Sequence, residues 1–216
     1  MNVSQEHLMA LLFAKNTGER FFADLFGNFS FFNKSEPLSQ KNFTSNYDNL
    51  DEIVNYKKIV CLDNPYRMVY QEFLINSSEN WKKKTKSIEY QQEEFTYWFD
   101  KIFYNDVDYL NNNCYRHQVR FLFSKDFYKL DIDYVIKKES YIEDLSKIPF
   151  MDISKINQKL VFLVKNDFNH QKIITRDQAK KIFNFYRPYF DKFGFNPFSF
   201  TNEELTLKEK VNFIHN

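Results

Sequence analysis

Residues 59–73 read IVCLDNPYRMVYQEF. The first four residues are apolar, the next two are the polar pair Asp63-Asn64, and Pro65 then opens a stretch with helical spacing. A short apolar run bounded by polar residues is typical of a buried strand. Pro suits the first turn of a helix, where its missing N–H costs nothing. The stretch therefore predicts a strand over Lys58–Leu62, a two-residue turn and a helix over Pro65–Ile75.

Similar strand-like and helix-like segments alternate along the chain. Further strands are predicted over Leu8–Ala14, Asn28–Phe32 and Asp133–Ile136, and further helices over Gly18–Phe26, Glu89–Phe103, Arg116–Phe123 and Arg176–Phe190. Thr175 is predicted to cap the last helix, because the acidic Asp177 follows in its first turn. Strands that alternate with helices favour a mainly parallel sheet with helices on both faces. We therefore expect an α/β fold with a central, mainly parallel sheet, as a single domain over residues 1–216.

Composition and charge exclude several classes of protein. The 30 Lys and Arg nearly balance the 29 Asp and Glu, and a net charge of +1 argues against a broad nucleic-acid-binding surface. Hydrophobic residues make up 43% of the chain, which excludes overall disorder. Cys61 and Cys114 cannot form a disulfide framework or a four-cysteine zinc site. The scattered His and Cys lack metal-ligand spacing, so we expect no metal.

No apolar run approaches the roughly 20 residues that span a bilayer. The first residues have neither a basic region nor a cleavage site typical of a signal peptide. We therefore expect no integral membrane segment and a cytoplasmic location, with the inner membrane surface as an alternative.

The first predicted strand runs into a turn that has the features of an anion site. Residues 14–20 read AKNTGER, and the next predicted helix begins within them. Backbone N–H groups at a helix N-terminus, the helix dipole and the Lys15 ammonium together favour phosphate or sulfate. The segment is not a Walker A loop, since GxxxxGK[ST] is absent. An ordinary strand-to-helix turn is the alternative, both here and at Asp63-Asn64.

Taken together, the motifs resemble the carbohydrate sulfotransferases that use 3'-phosphoadenosine 5'-phosphosulfate (PAPS). The family's first loop, PKTGGTS, is similar to residues 14–20, and its RNPYERLVSxY motif is similar to residues 63–73. Residues 114–118 (CYRHQ) keep only the Arg and Gln of a later HWRPQ motif. Residues 134–144 resemble a strand of the form YVxRxExLxxD. Residues 165–166 and 185–195 are similar to an Asn-containing loop and a helix ending YxxDFxxFGY. The resemblance covers roughly residues 7–198.

The resemblance implies the P-loop-like sulfotransferase fold and a PAPS-dependent transfer to a sugar hydroxyl. The first loop would hold the 5'-phosphosulfate, and Lys15 would stabilise charge on the leaving group. The donor would be bound by two groups of residues: Lys15, Asn16, Thr17, Gly18, Glu19 and Arg20 in the first loop, and Asp63, Arg67 and Gln71 in the second motif. The general base would be Glu36, with Glu19 and His117 as alternatives.

Four positions in the donor motifs depart from the family's pattern in ways that bear on donor binding. Asp63 replaces the Arg that binds the 3'-phosphate and would repel that group. Arg67 follows one helical turn later, so it can supply a substitute cation or pair with Asp63 on the helix surface. Glu19 and Arg20 replace a Thr-Ser pair, and Gln71 replaces a Ser but still donates a hydrogen bond.

The leading hypothesis is therefore a sulfotransferase-like protein with PAPS as donor and a glycan, such as a bacterial surface polysaccharide, as acceptor. One alternative is a non-catalytic relative that binds a glycan or a protein. Another is a transferase with a different nucleotide-linked donor, in which Asp63 binds a ribose hydroxyl. His170 and Lys172 are expected on the surface, with the 3'-phosphate region as the alternative. The many aromatic residues are expected in the core, with sugar stacking as the alternative.

Overall fold

A computed structural model describes residues 2–4, 9–13, 55, 57–76, 87–104, 132–149, 151–155 and 170–215. The chain divides into two compact units, and each consists of two separate chain segments. The sheet unit comprises residues 1–64 and 114–166, and the helical unit comprises residues 65–113 and 167–216. The prediction of one domain over the whole chain stays a prediction.

The sheet unit contains four strands in the order in which they occur in the chain. They are β1 (Asn2–Ser4), β2 (Met9–Phe13), β3 (Lys57–Leu62) and β4 (Tyr134–Lys137). β1 pairs antiparallel with β2, whereas β2, β3 and β4 run parallel to one another. The prediction of an α/β fold with a mainly parallel sheet is therefore confirmed for the described residues.

β3 is the middle one of the three parallel strands, and it is apolar. Ile59, Val60, Cys61 and Leu62 are all buried, so both faces of the strand are covered. A continuous apolar run, rather than an alternating one, is the pattern of a parallel strand that is buried on both sides. This is why the segment was recognisable from the sequence.

β4 begins one residue later than the sequence predicts. Asp133 lies just before the strand and links the amino end of the strand to β3 by hydrogen bonds. The Lys58 N–H donates to Asp133 Oδ2 at 2.8 Å, and the Asp133 N–H donates to the Lys58 carbonyl at 3.1 Å. A one-turn 3₁₀ helix, Lys138–Ser140, and helix α3, Tyr141–Ser146, follow the strand, and a second 3₁₀ turn covers Ile153–Lys155.

Five of the described helical segments belong to the helical unit. α1 is Pro65–Asn76, and α2 is Ile88–Trp98, which continues as a π-helical segment over Phe99–Tyr104. α4 is His170–Ile173, α5 is Arg176–Phe193 and α6 is Leu207–His215. The predicted helices at Pro65, Glu89 and Arg176 are confirmed. α5 also has the predicted Thr175 cap, as a capping box with Gln178. The predicted segments Asn28–Phe32, Gly18–Phe26 and Arg116–Phe123 lie outside the described residues.

Aromatic side chains form the core of the helical unit. The Tyr66 ring lies 5.3 Å from Phe190 and 5.7 Å from Phe200, and its hydroxyl donates to the Pro197 carbonyl at 2.6 Å. Tyr186, Tyr189, Phe193 and Phe195 are buried as well. The prediction that the aromatic residues between 186 and 200 serve mainly as core is confirmed. Phe31 and Phe32 lie outside the described residues.

Candidate functional site

The carboxyl ends of β2, β3 and β4 meet at one edge of the sheet. Phe13, the last residue of β2, is in register with Cys61, and Leu62, the last residue of β3, is in register with Lys137. Open α/β sheets bind ligands outside the carboxyl ends of their strands. We call this the carboxyl edge, and it is the candidate site in the sheet unit.

Asp63 and Lys138 form a buried ion pair at the carboxyl edge. Asp63 Oδ2 lies 3.5 Å from Lys138 Nζ, and the two side chains are 0% and 7% exposed. Asp63 Oδ1 accepts a hydrogen bond from the Asn64 N–H at 2.7 Å. The negative charge that the sequence places here is therefore countered by a cation from the neighbouring strand.

Sequence reasoning missed Lys138, although the sequence contains the signal. Asp63 and Lys138 each follow a residue of the Leu62–Lys137 pair, so they are the next positions in the same register. The partners are far apart in the chain, and only the pairing of β3 with β4 brings them together. A predicted register for the two apolar runs would have placed the lysine beside the aspartate.

Asp144 fixes the turn that carries Lys138. Its Oδ2 accepts from the Lys137 N–H at 3.0 Å and from the Ser140 hydroxyl at 2.8 Å, and its Oδ1 accepts from the Lys147 ammonium at 2.8 Å. The hydrogen bond to Asp144 is also the main reason why the pKa of Lys147 is raised. The buried carboxylate therefore holds the backbone of Lys137 before Lys138 and the side chain of Ser140 after it.

The predicted donor residues of the second motif in the helical unit are Arg67 and Gln71. Both lie on α1, one turn apart, so they share one face of the helix. Arg67 is 1% exposed, so its side chain does not lie on an exposed helix surface, as one of the two alternatives for this residue supposed. Gln71 is half-buried. Their roles in donor binding stay predictions.

The remaining predicted site residues lie outside the described part of the chain. They are Lys15, Asn16, Thr17, Gly18, Glu19 and Arg20 of the first loop, and the base candidates Glu36 and His117. What the structure does give is the end of β2, from which the first loop continues. That strand is next to β3.

The prediction that His170 is a surface residue is wrong. It lies on α4 and is 2% exposed, whereas Lys172 on the same short helix is exposed, as predicted. α4 is anchored by neighbouring elements. The Gln92 side chain donates to the Lys172 carbonyl at 2.7 Å, and the Gln171 side chain donates to the Ser199 carbonyl at 3.0 Å. This packing turns His170 inward, which a four-residue segment does not reveal in its sequence pattern.

Cys61 is the cysteine that lies in the described part of the chain, and its burial argues against a role as a nucleophile. It lies fully buried in β3, and the loss of solvation raises its pKa well above the ordinary value. A neutral thiol is a poor nucleophile.

No three His, Cys, Asp or Glu come together as metal ligands among the residues that the structure describes. Within the same part of the chain, no helix is both long and apolar enough to cross a membrane.

Comparisons with known proteins place no further constraint on the site. No protein-family model, no curated protein and no solved structure matches the chain. The functional argument therefore rests on the residues of this chain and on the geometry of the carboxyl edge.

Proposed function

We propose that the chain is a sulfotransferase-like protein with a P-loop-like fold, which transfers the sulfuryl group of PAPS to a glycan hydroxyl. The observation that supports this proposal is the parallel pairing of β2 with β3. It brings together the carboxyl ends of the two strands that precede the segments resembling the family's donor motifs. In a parallel sheet, two such turns converge on one ligand.

In the proposed reaction, the acceptor oxygen loses its proton to a general base and attacks sulfur. The new O–S bond forms as the bond from sulfur to the donor's phosphate oxygen breaks. The products are a sulfate ester and adenosine 3',5'-bisphosphate. Lys15 would stabilise the negative charge that develops on the phosphate oxygen, and Glu36 is the proposed base.

The Asp63–Lys138 pair bears on whether an anionic donor can bind at this edge. A lone carboxylate would repel a phosphate, but Asp63 lies 3.5 Å from the Lys138 ammonium, so the two charges cancel. The departure from the family's pattern at Asp63 therefore adds no net negative charge to the carboxyl edge. This supports retention of the proposed donor site.

A second candidate is a non-catalytic relative that binds a glycan or a protein. The observation that favours it is the same ion pair, because both charges already serve an internal contact. The third alternative, in which Asp63 binds a ribose hydroxyl, is less well supported. The Asp63 side chain is fully buried and already accepts the Asn64 N–H.

Thermal unfolding with a nucleotide panel tests the proposal. The panel contains adenosine 3',5'-bisphosphate, PAPS, AMP, ATP and sugar nucleotides. A ligand at about 100 times its dissociation constant stabilises a protein by about 2.7 kcal/mol, which shifts the unfolding midpoint by several degrees. We expect this shift with the 3'-phosphorylated nucleotides alone.

Lys15→Ala should abolish both the shift and turnover, because it removes the cation that faces the phosphosulfate. The matched control is Lys208→Ala, since Lys208 is an exposed lysine on α6 of the helical unit. A shift with other nucleotides would favour a different donor. No shift with any nucleotide would favour the non-catalytic relative.

A further inference from the structure

The buried charges at the carboxyl edge need a reason beyond stability. Asp63 and Lys138 are both removed from solvent. Desolvation offsets much of the attraction within a buried ion pair, so such a pair is weak evidence for stability, and an apolar replacement is often neutral. This pair lies where parallel sheets bind ligands.

The contact within the pair is longer than a close charge-assisted contact. Charge-assisted N–H···O contacts are typically about 2.7–2.9 Å long, whereas Lys138 Nζ lies 3.5 Å from Asp63 Oδ2. A phosphate or sulfate oxygen that approaches Lys138 to the shorter distance therefore interacts with it more strongly. Asp63 Oδ1 keeps the Asn64 N–H in either case.

Lys138 combines a fixed backbone with a long side chain. The Asp144 carboxylate accepts hydrogen bonds from Lys137 and Ser140, the residues on either side of the turn. The four-carbon side chain of a lysine ends in a compact ammonium with three rotatable donors. A ligand at the carboxyl edge would therefore meet an ammonium that turns toward it by side-chain rotation, from a backbone that Asp144 holds in place.

We propose that Lys138 binds a phosphate or sulfate ester group at the carboxyl edge, and that Asp63 holds this lysine in the unliganded protein and competes with the ligand. The identification of the ligand as a 3'-phosphorylated nucleotide rests on the proposed function. The assignment of an anion site to Lys138 does not depend on that function. The sequence suggested Arg67 as the substitute cation, and the geometry of the sheet unit favours Lys138.

Phosphate binding by four proteins tests the anion site: the wild type, Asp63→Asn, Lys138→Met and the double variant. The probe is inorganic phosphate, titrated at constant ionic strength against chloride and measured by calorimetry. We expect Asp63→Asn to bind phosphate about tenfold more tightly than the wild type, because one opposing interaction is lost. Lys138→Met and the double variant should bind phosphate more weakly than the wild type, with no more than the binding that the first loop supplies. Equal affinity in all four proteins would overturn the proposal.

The double variant keeps the test decisive where Asp63→Asn does not fold. A single substitution leaves a buried charge without its partner, whereas the double variant removes both charges. In that case the comparison is between the wild type and the double variant. Weaker phosphate binding by the double variant than by the wild type supports the site. Equal affinity, or a wild type that binds no phosphate, overturns it.

Titration with nucleotides separates this inference from the proposed function. Adenosine 3',5'-bisphosphate is compared with AMP, and Asp63→Asn should strengthen binding of the bisphosphate alone. If phosphate binds through Lys138 but neither nucleotide does, the anion site stands and the sulfotransferase proposal fails. If the bisphosphate binds through Lys15 with the same affinity in the wild type, Asp63→Asn and the double variant, the function stands and the role of Lys138 fails.

Discussion

The Asp144 carboxylate is the residue on which the turn after β4 depends. It is buried and accepts three hydrogen bonds, from Lys137, Ser140 and Lys147. A buried hydrogen bond to a charged group is worth about 1.5–3 kcal/mol, and unpaired donors cost more. We expect Asp144→Ala to lower the free energy of unfolding by about 2 kcal/mol, as measured by urea denaturation.

The neighbouring Glu143 is a matched control. It contacts the same Lys147 ammonium at 3.3 Å, but its side chain is 76% exposed. Exposed ion pairs contribute little, so Glu143→Ala should change the unfolding free energy by less than about 0.5 kcal/mol. Equal losses in both variants would show that the lysine contact matters and that the two hydrogen bonds to the turn do not.

At the residue scale, the sequence predicted positions better than contacts. Asp63 follows a recognisable strand, so its place at the end of β3 was predictable. Its partner Lys138 was not, because the contact depends on the register between two strands that are distant in the chain. The burial of Arg67 and His170 was missed for the same physical reason, since packing by other elements decides it.

At the scale of elements, Gly194 ends the longest described helix. Its φ of 64° and ψ of 36° are left-handed, and its N–H donates to the Phe190 carbonyl. A non-glycine residue in this conformation costs roughly 1–2 kcal/mol. An added Cβ meets nothing within 4 Å, so the cost would come from the backbone alone.

Gly194→Ala should therefore lower the free energy of unfolding by about 1 kcal/mol in a denaturant titration. Gly194→Asn is the control, because Asn adopts the left-handed conformation more readily than Ala. We expect the Asn variant to lose less stability than the Ala variant. Equal losses would mean that the side chain, rather than the backbone conformation, causes the destabilisation.

Local signals explain which elements the sequence predicted. Pro65 starts α1, and Thr175 with Gln178 starts α5, so both helices were found at their first residues. β1 was missed because three residues, Asn2–Ser4, are too few to show a pattern. α6 was missed although Thr206 and Glu209, which bond each other at 2.7 Å, have the spacing of a capping box, so its start was signalled in the sequence.

At the scale of the whole molecule, the order of segments couples the two units. Residues 65–113 of the helical unit interrupt the sheet unit, and residues 114–166 of the sheet unit interrupt the helical unit. A folded segment holds its two ends at a fixed separation, whereas an unfolded one must be closed as a loop. For a loop of this length the closure costs about 3–4 kcal/mol. Unfolding of either unit should therefore destabilise the other.

Tryptophan fluorescence tests this coupling, because Trp81 and Trp98 both belong to the segment 65–113 of the helical unit. Asp144→Ala lies in the sheet unit, yet we expect it to lower the denaturant midpoint of the fluorescence transition as much as that of the far-UV circular dichroism transition. Gly194→Ala lies in the helical unit, so it must shift the fluorescence signal whether or not the units are coupled, which calibrates the probe. If Asp144→Ala shifts the dichroism transition and leaves the fluorescence midpoint unchanged, the units unfold independently and the prediction of a single domain fails.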